Sequence, residues 1–257
     1  MILSLILFLF IGLSFGVIGA GGSILSVPVL IYILGLKAEI AMSYSFYIVG
    51  LTACFGFLSY LKRDLVSFKD AIIFAIPSIT GVSVSRYFIV PAIPEEFFGV
   101  KKDAFLMLLF AVLMIASSVS MLLKKDKKFN NDYQKNNIKT TVSGLCVGLI
   151  VGVLGAGGGF LIIPALYNFL KIDIKKSIGT SLLIITLNCL IAIMADISKG
   201  GYVSISTLIP ILLSSICGVV LGVRLSSKID SKNIKIGFAI FTIAIAIFIL
   251  CKELINI

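Results

Sequence analysis

Gly152-Val-Leu-Gly155-Ala-Gly157-Gly158-Gly159-Phe-Leu-Ile-Ile-Pro164 decides the fold, because the chain carries the pattern twice. The first copy reads Gly16-Val-Ile-Gly19-Ala-Gly21-Gly22-Ser23-Ile-Leu-Ser-Val-Pro28. Gly152 stands against Gly16, a separation of 136 in a chain of 257 residues. Each copy interrupts an apolar run. Glycine lets the backbone leave helical geometry and come close to a ligand. A bilayer tolerates the N–H and C=O groups bared by such a break only where protein, water or ligand satisfies them. Spans broken at corresponding places in two halves of a chain are the sequence mark of a transporter's binding site.

Composition supports a membrane setting. Hydrophobic residues are 59% of the chain, charged residues 13%, and the mean hydropathy is +1.16. A soluble domain is about 45–50% apolar and about 25% charged. The apolar blocks recur along the whole length, so the chain reads as an all-α polytopic membrane protein. Residues 1–18 resemble a signal peptide only superficially. They lack a basic start, and their glycine motif returns mid-chain, so they read as part of the mature fold.

The net charge of +10 would suggest nucleic acid in a soluble protein. Here most basic residues lie between apolar blocks, where they orient the chain and meet anionic headgroups. No nucleic-acid motif accompanies them. Cys54, Cys146, Cys189, Cys217 and Cys251 have no metal or redox spacing and read as buried free thiols. The chain has no His, and no metal or cofactor is expected from its residues.

The blocks divide the chain into residues 1–123, a hydrophilic basic linker at 124–139, and residues 140–257. In the first part, segments at 2–18 and 23–36 flank the glycine motif. Helices are expected at about 40–60, 68–90 and 104–123. In the second, 138–154 and 160–171 flank the motif, with helices at about 177–195, 203–226 and 234–251. That makes eight hydrophobic segments when each broken block is counted once. Gly12, Gly16, Gly144, Gly148 and Gly152 read as small residues for close helix crossing, as does the match of Gly81/Ser85 with Gly218/Gly222.

Charge sets the topology. If each broken block were one full span, the 22 basic residues would divide evenly between the two sides. If each block instead returns to its own side, the split becomes about 16 to 6. That favours two inverted repeats in the plasma (inner) membrane, with a cytoplasmic linker and both termini outside. Residues 2–18 would reach about 25 Å as a helix, nearly the thickness of the hydrocarbon.

Just after each glycine pair a short helix is expected to begin, near Ser23 and near Gly159. Its first N–H groups carry partial positive charge, so a small anion is the natural guest. The candidate substrate-binding residues are therefore Gly19, Gly21, Gly22 and Ser23 in the first copy, and Gly155, Gly157, Gly158 and Gly159 in the second. Polar residues of the following helices are added: Ser43, Tyr44, Ser45 and Thr52 in one half, Thr180, Ser181 and Asn188 in the other. The plainer account of these hydroxyls is a bond to their own helix backbone. Tyr47 is a further candidate with less support. Arg86 and Arg224 are expected to snorkel to the headgroups, with anion attraction as the other reading. Asp196 and Lys199 read as a loop ion pair, and Asp196 is the only acidic residue near the later helices suited to proton coupling.

The paired Gly-Ala-Gly-Gly motifs, each followed by proline, resemble the TauE/SafE family of sulfite and organosulfonate exporters. So does Ile178-Gly179-Thr180-Ser181. The resemblance covers essentially the whole chain. It implies an anion permease for small sulfur-containing anions and leaves import or export open. The first half departs from the pattern, with Ser23 for a third glycine and Met42-Ser43-Tyr44-Ser45 for the second signature. The two half-sites are thus expected to differ. The leading reading is alternating-access transport of sulfite, an organosulfonate or a related oxyanion. An anion channel and a non-transporting structural subunit are the alternatives. No nucleophile, base or metal cluster suggests an enzyme. The expected partners are the anion, a coupling ion if there is one, the lipid bilayer and, as an open question, further copies of the chain.

Overall fold

The computed structural model describes residues 2–19, 21–94, 96–97, 100–123, 137–170, 172–200, 203–226 and 228–256. Long apolar runs form helices, because a chain in lipid must satisfy its backbone internally, and Pro77 and Pro210 are carried inside two of them. In the first half these are α1 (Ile2–Ile18), α2 (Gly21–Tyr32), α3 (Ala38–Leu61) and α4 (Phe68–Val84). A π-helical turn, Ser85–Ile89, carries α4 into α5 (Val90–Ala92), and α6 is Lys102–Leu123. The second half has α7 (Asn137–Leu154), α8 (Gly159–Ala165) with a π-helical turn at Leu166–Leu170, α9 (Ile174–Ser198), α10 (Ile205–Ser226) and α11 (Ser231–Asn256). Among the described residues, six helices are long and apolar enough to cross a membrane, counting Phe68–Ala92 as one.

Three details differ from the sequence reading. The first short helix begins at Gly21, two residues before Ser23, so the breaks are not identical. Glu96–Phe97 and Val100–Lys101 form a brief antiparallel ladder in an otherwise helical chain. α7 begins at Asn137, one residue before the segment expected at 138–154, and so takes in the last residues of the stretch read as linker. The rest of the linker lies outside the described residues.

The helices pair across the halves. α1 packs on α10, α4 on α7, α3 on α9, α6 on α11, and α2 on α8. Exchanging α1, α2, α3, α4 and α6 for α7, α8, α9, α10 and α11 maps this set onto itself. Direction can be read from the contacts. Gly12 meets Ser215 and Gly16 meets Val219, so α1 and α10 run parallel. Gly144 meets Phe74 and Gly148 meets Ser78, so α7 and α4 do the same. In contrast, Ser43 meets Asp196, Gly50 meets Cys189 and Gly56 meets Leu182, so α3 and α9 are antiparallel.

The glycine rows are the physical reason for these approaches. A Cβ on Gly148 would lie 2.0 Å from the Ser78 carbonyl oxygen, and one on Gly12 would lie 1.9 Å from that of Ser215. Without side chains the backbones reach the van der Waals contact that drives association in lipid. Phe8, Phe15, Phe46, Phe74, Phe110, Phe160 and Phe238 fill the interior between the paired helices. Outward positions are equally apolar, with Phe88 72% and Met194 64% exposed, as a lipid-facing surface requires.

Candidate functional site

Each glycine motif closes one helix and turns the chain back. The Gly19 N–H donates to the Phe15 carbonyl at 2.8 Å, and the Gly155 N–H donates to that of Val151 at 3.0 Å. After Gly19 the chain re-enters as α2, whose Gly22 lies against Ile11 and Phe15 of α1. The second break is wider. Gly155, Gly157 and Gly158 all have positive φ, at 70°, 62° and 75°. A Cβ on Gly157 would sit 2.4 Å from Val49 Cγ1 and 3.3 Å from Ile185 Cγ2, so only glycine fits between α3 and α9. Gly158 begins α8 by accepting the Leu161 and Ile162 N–H groups, each at 2.9 Å. Gly159 is the first, buried residue of α8.

The breaks approach the α3–α9 pair from opposite ends. Gly19 touches Ile178 near the start of α9, while Gly155 touches Met42 near the start of α3. From Met42 the second loop runs along α3 to Val49, at the middle of the pair. Thr52 and Asn188 lie at this level, beside the Gly50–Cys189 contact, and both are fully buried. Asn188 donates Nδ2–H to Ser78 Oγ at 2.8 Å. Asn188 Oδ1 and Thr52 Oγ1 have no hydrogen-bond partner within the protein. Unpaired buried polar atoms are costly, and they mark places where a guest could repay that cost.

The other polar candidates are engaged in holding the fold. Tyr44 Oη accepts the Ser204 N–H at 2.8 Å, and Thr180 Oγ1 accepts the Ser67 N–H at 3.0 Å. Tyr44 and Thr180 are equivalent positions, and each fastens the loop that enters α10 or α4. Ser181 Oγ donates to the Ile178 carbonyl at 2.8 Å, the local bond anticipated for a helical serine. Ser45 Oγ and Ser26 Oγ lie 2.7 Å apart, joining α3 to α2, and Ser26 Oγ donates to the Ser23 carbonyl at 2.9 Å. Ser23 is fully buried, and Tyr47 is half-buried. Ser43 lines a cavity.

That cavity, of about 330 Å³, opens beside the start of α3 and the end of α9. Glu39, Ser43, Arg86, Asp196 and Lys199 line it. Here two expectations are corrected. Arg86 does not snorkel: it is 4% exposed, and its Nε donates to Asp196 Oδ1 at 2.9 Å with Nη2 on the same oxygen. Asp196 is not in a loop pair with Lys199: it lies within α9, and Ser43 Oγ donates to its Oδ2 at 2.8 Å. Lys199 Nζ donates to the Arg86 carbonyl. The Arg86 guanidinium also stands 5.1 Å from the centre of the Phe46 ring. Arg224, by contrast, is exposed. The signal for the buried pair was present in sequence, since both residues are rare charges in apolar segments. Their partnership was hidden by 110 residues of separation.

Comparison with known proteins agrees with this architecture. The family described as "Sulfite exporter TauE/SafE" matches residues 4–249. A "Probable membrane transporter protein" of Xylella fastidiosa is 27% identical over 250 residues, covering 95% of this chain and 92% of that protein. The "Probable membrane transporter protein YjnA" of Bacillus subtilis is 28% identical, covering 88% of this chain and 91% of its own length. A similarly named protein of Methanocaldococcus jannaschii is 25% identical, with 91% of each chain covered. No solved structure matches the chain. With six membrane-capable helices and a match over nearly its whole length, the chain is a multi-pass membrane protein of the sulfite exporter TauE/SafE family.

Proposed function

We propose that the protein is a secondary transporter of a small oxyanion, sulfite or an organosulfonate in class, working by alternating access between two inverted repeats. The observation that carries this reading is the antiparallel packing of α3 against α9, with a glycine break arriving from each end. A two-fold axis lying in the membrane plane turns equivalent spans antiparallel, whereas an axis along the membrane normal would leave them parallel. Thr52 and Asn188, with unpaired buried oxygens at equivalent positions, supply the middle of the path. The α2 N-terminus, turned inward by the first break, favours negative charge. The sulfur-oxyanion class comes from the family description, and the relatives' names support transport. In this reading the linker is cytoplasmic and both termini lie outside, as the 16 to 6 split of basic residues indicates.

The test is reconstitution in liposomes, following sulfite, sulfate, thiosulfate and taurine-like sulfonates with and without a proton gradient. Saturable flux of at least one anion is expected. Its absence under every condition would remove the reading, and flux that rises linearly with concentration would make the protein a channel.

A further inference from the structure

We infer that Arg86 is an oxyanion-binding residue held in reserve by Asp196, and that the cavity it lines is the substrate's access subsite on the face away from the linker. This inference rests on the anion-transport reading and adds to it a ligand site outside the glycine motifs. Arg86 sits on the π-helical turn that continues α4, a distortion that recurs at functional sites. Its guanidinium places Nε and Nη2 on a single oxygen, Asp196 Oδ1. Nη1 is buried and has no hydrogen-bond partner. A guanidinium fork matches two oxygens of one ligand, and the present pairing leaves part of it unused. A sulfur oxyanion offers several oxygens and could engage both arms.

The cavity also provides for the displaced carboxylate. Asp196 already accepts from Ser43, and the Lys199 ammonium lines the same space. When an oxyanion takes Arg86, Asp196 turns to Lys199 and Ser43, so neither charge is left bare. Arg86 and Ser43 belong to the first half, while Asp196 and Lys199 belong to the second. The exchange therefore breaks a bond between the halves when substrate arrives, as opening of this face requires.

The opposite face shows that the charged pair is not needed to hold the repeat together. There Arg63 Nη1 donates to the Val223 carbonyl at 2.8 Å, as Lys199 does to the Arg86 carbonyl. Arg63 and Val223 are the repeat equivalents of Lys199 and Arg86. The equivalent of Asp196 is Tyr60, whose hydroxyl donates to the Gly16 carbonyl at 3.0 Å and stands 3.1 Å from Ser226 Oγ. The carbonyl tether is thus common to both faces, and the Arg–Asp pair is added on one. A buried ion pair is weak as a source of stability and, within membrane spans, marks a functional site.

Half-saturation of sulfite flux in proteoliposomes tests the exchange. Asp196→Asn removes the internal competitor and should lower the half-saturating concentration roughly tenfold. Arg86→Lys keeps the charge, loses the fork and should raise it roughly tenfold. A purely structural pair would lower the melting temperature of both variants and leave half-saturation unchanged, and that result overturns the proposal. Should either single variant fail to fold, Arg86→Gln/Asp196→Asn removes both charges together. Sulfite and sulfate should raise the melting temperature of the wild type more than chloride at equal ionic strength, and not that of the double variant. An equal rise in both also overturns the proposal. Absence of saturable flux in the wild type would instead remove the transport reading itself, so the two failures are distinguishable.

Discussion

Asn188 donates through Nδ2 to Ser78 Oγ at 2.8 Å and keeps a buried, unpaired Oδ1 at the middle of the protein. The equivalent of Asn188 in the first half is Thr52, but the equivalent of Ser78 is Ser215, which donates to the Phe8 carbonyl at 3.2 Å. Thr52 Oγ1 is therefore left without a partner. The two sides of the α3–α9 crossing thus carry different buried polar groups, Thr52 on α3 and Asn188 on α9.

This difference separates packing from function. Thr52→Val removes a hydroxyl that makes no hydrogen bond in the fold while keeping the side-chain shape. Its melting temperature should equal or exceed that of the wild type, since an unsatisfied buried group is lost. If the hydroxyl meets substrate, half-saturation of flux should rise roughly tenfold, the scale of one bond to a charged ligand. Asn188→Leu also loses the bond to Ser78 and should cost about 1 kcal/mol in stability. Normal flux in a stable Thr52→Val protein would make Thr52 a packing residue only.

Helix crossing at glycine gives a second contrast. Gly148 and Gly237 both lie within helices, but a Cβ on Gly148 would stand 2.0 Å from a backbone oxygen, whereas one on Gly237 would meet nothing within 4 Å. Backbone cannot yield as a side chain can, so Gly148→Ala must push α7 from α4. A loss of about 1–3 kcal/mol is expected, as for overpacking of a core. Gly237→Ala should be neutral or slightly stabilising. Thermal unfolding in detergent compares the two, and equal effects would show that α4 and α7 can separate freely.

Much of the fold was legible because glycine, proline and charge punctuate apolar runs. The segment expected at 40–60 is α3, and that at 234–251 lies inside α11. The match of Gly81 with Gly218, read as suited to close helix packing, corresponds to equivalent backbone contacts: Gly81 meets Leu145 as Gly218 meets Leu9. Side-chain roles were harder to read. A membrane helix is apolar on its lipid face and on its packing face, so periodicity does not say which way it turns. Phe88 and Phe46 look alike in sequence, yet one is 72% exposed and the other fully buried against Arg86. Thr180 fastens the Ser67 N–H because of where the loop after α3 falls, which no local pattern records. The start of α2 at Gly21 was missed because adjacent glycines suggest a break wherever they occur, and in the first copy the helix runs through them.

Gly158 tests whether the second break is a site or a hinge of convenience. Its φ of 75° disfavours any side chain, and a Cβ would stand 2.0 Å from Val151 Cγ2. Gly158→Val should insert in the membrane and lose transport. The strain has two parts, and only one involves a neighbour. Gly158→Ala with Val151→Ala relieves the contact but keeps the left-handed backbone, which costs about 1–2 kcal/mol for an alanine. The double variant should therefore recover part of the stability lost in Gly158→Ala. Recovery of full flux with it would assign the loss to packing. Continued loss would assign it to the shape of the loop itself.

The antiparallel pairing of α3 and α9 makes a prediction about sidedness. Lys37 immediately precedes α3, and Lys176 lies in the first turn of α9. Both are exposed. If α3 and α9 cross the membrane in opposite directions, their starts lie on opposite faces. In the proposed orientation the face of Lys176 is cytoplasmic, because it is the side that holds the linker lysines. In a variant with the five native cysteines replaced, Lys37→Cys should react with an impermeant thiol reagent added to intact cells. Lys176→Cys should react only after the membrane is opened. Labelling of both from one side would require parallel spans, which is the arrangement of two repeats related by an axis along the membrane normal. Labelling of Lys176→Cys alone from outside would keep the inverted repeat and reverse the whole protein in the membrane. It would also move the Arg86 cavity to the cytoplasmic face, so that an anion reaching it would come from within the cell.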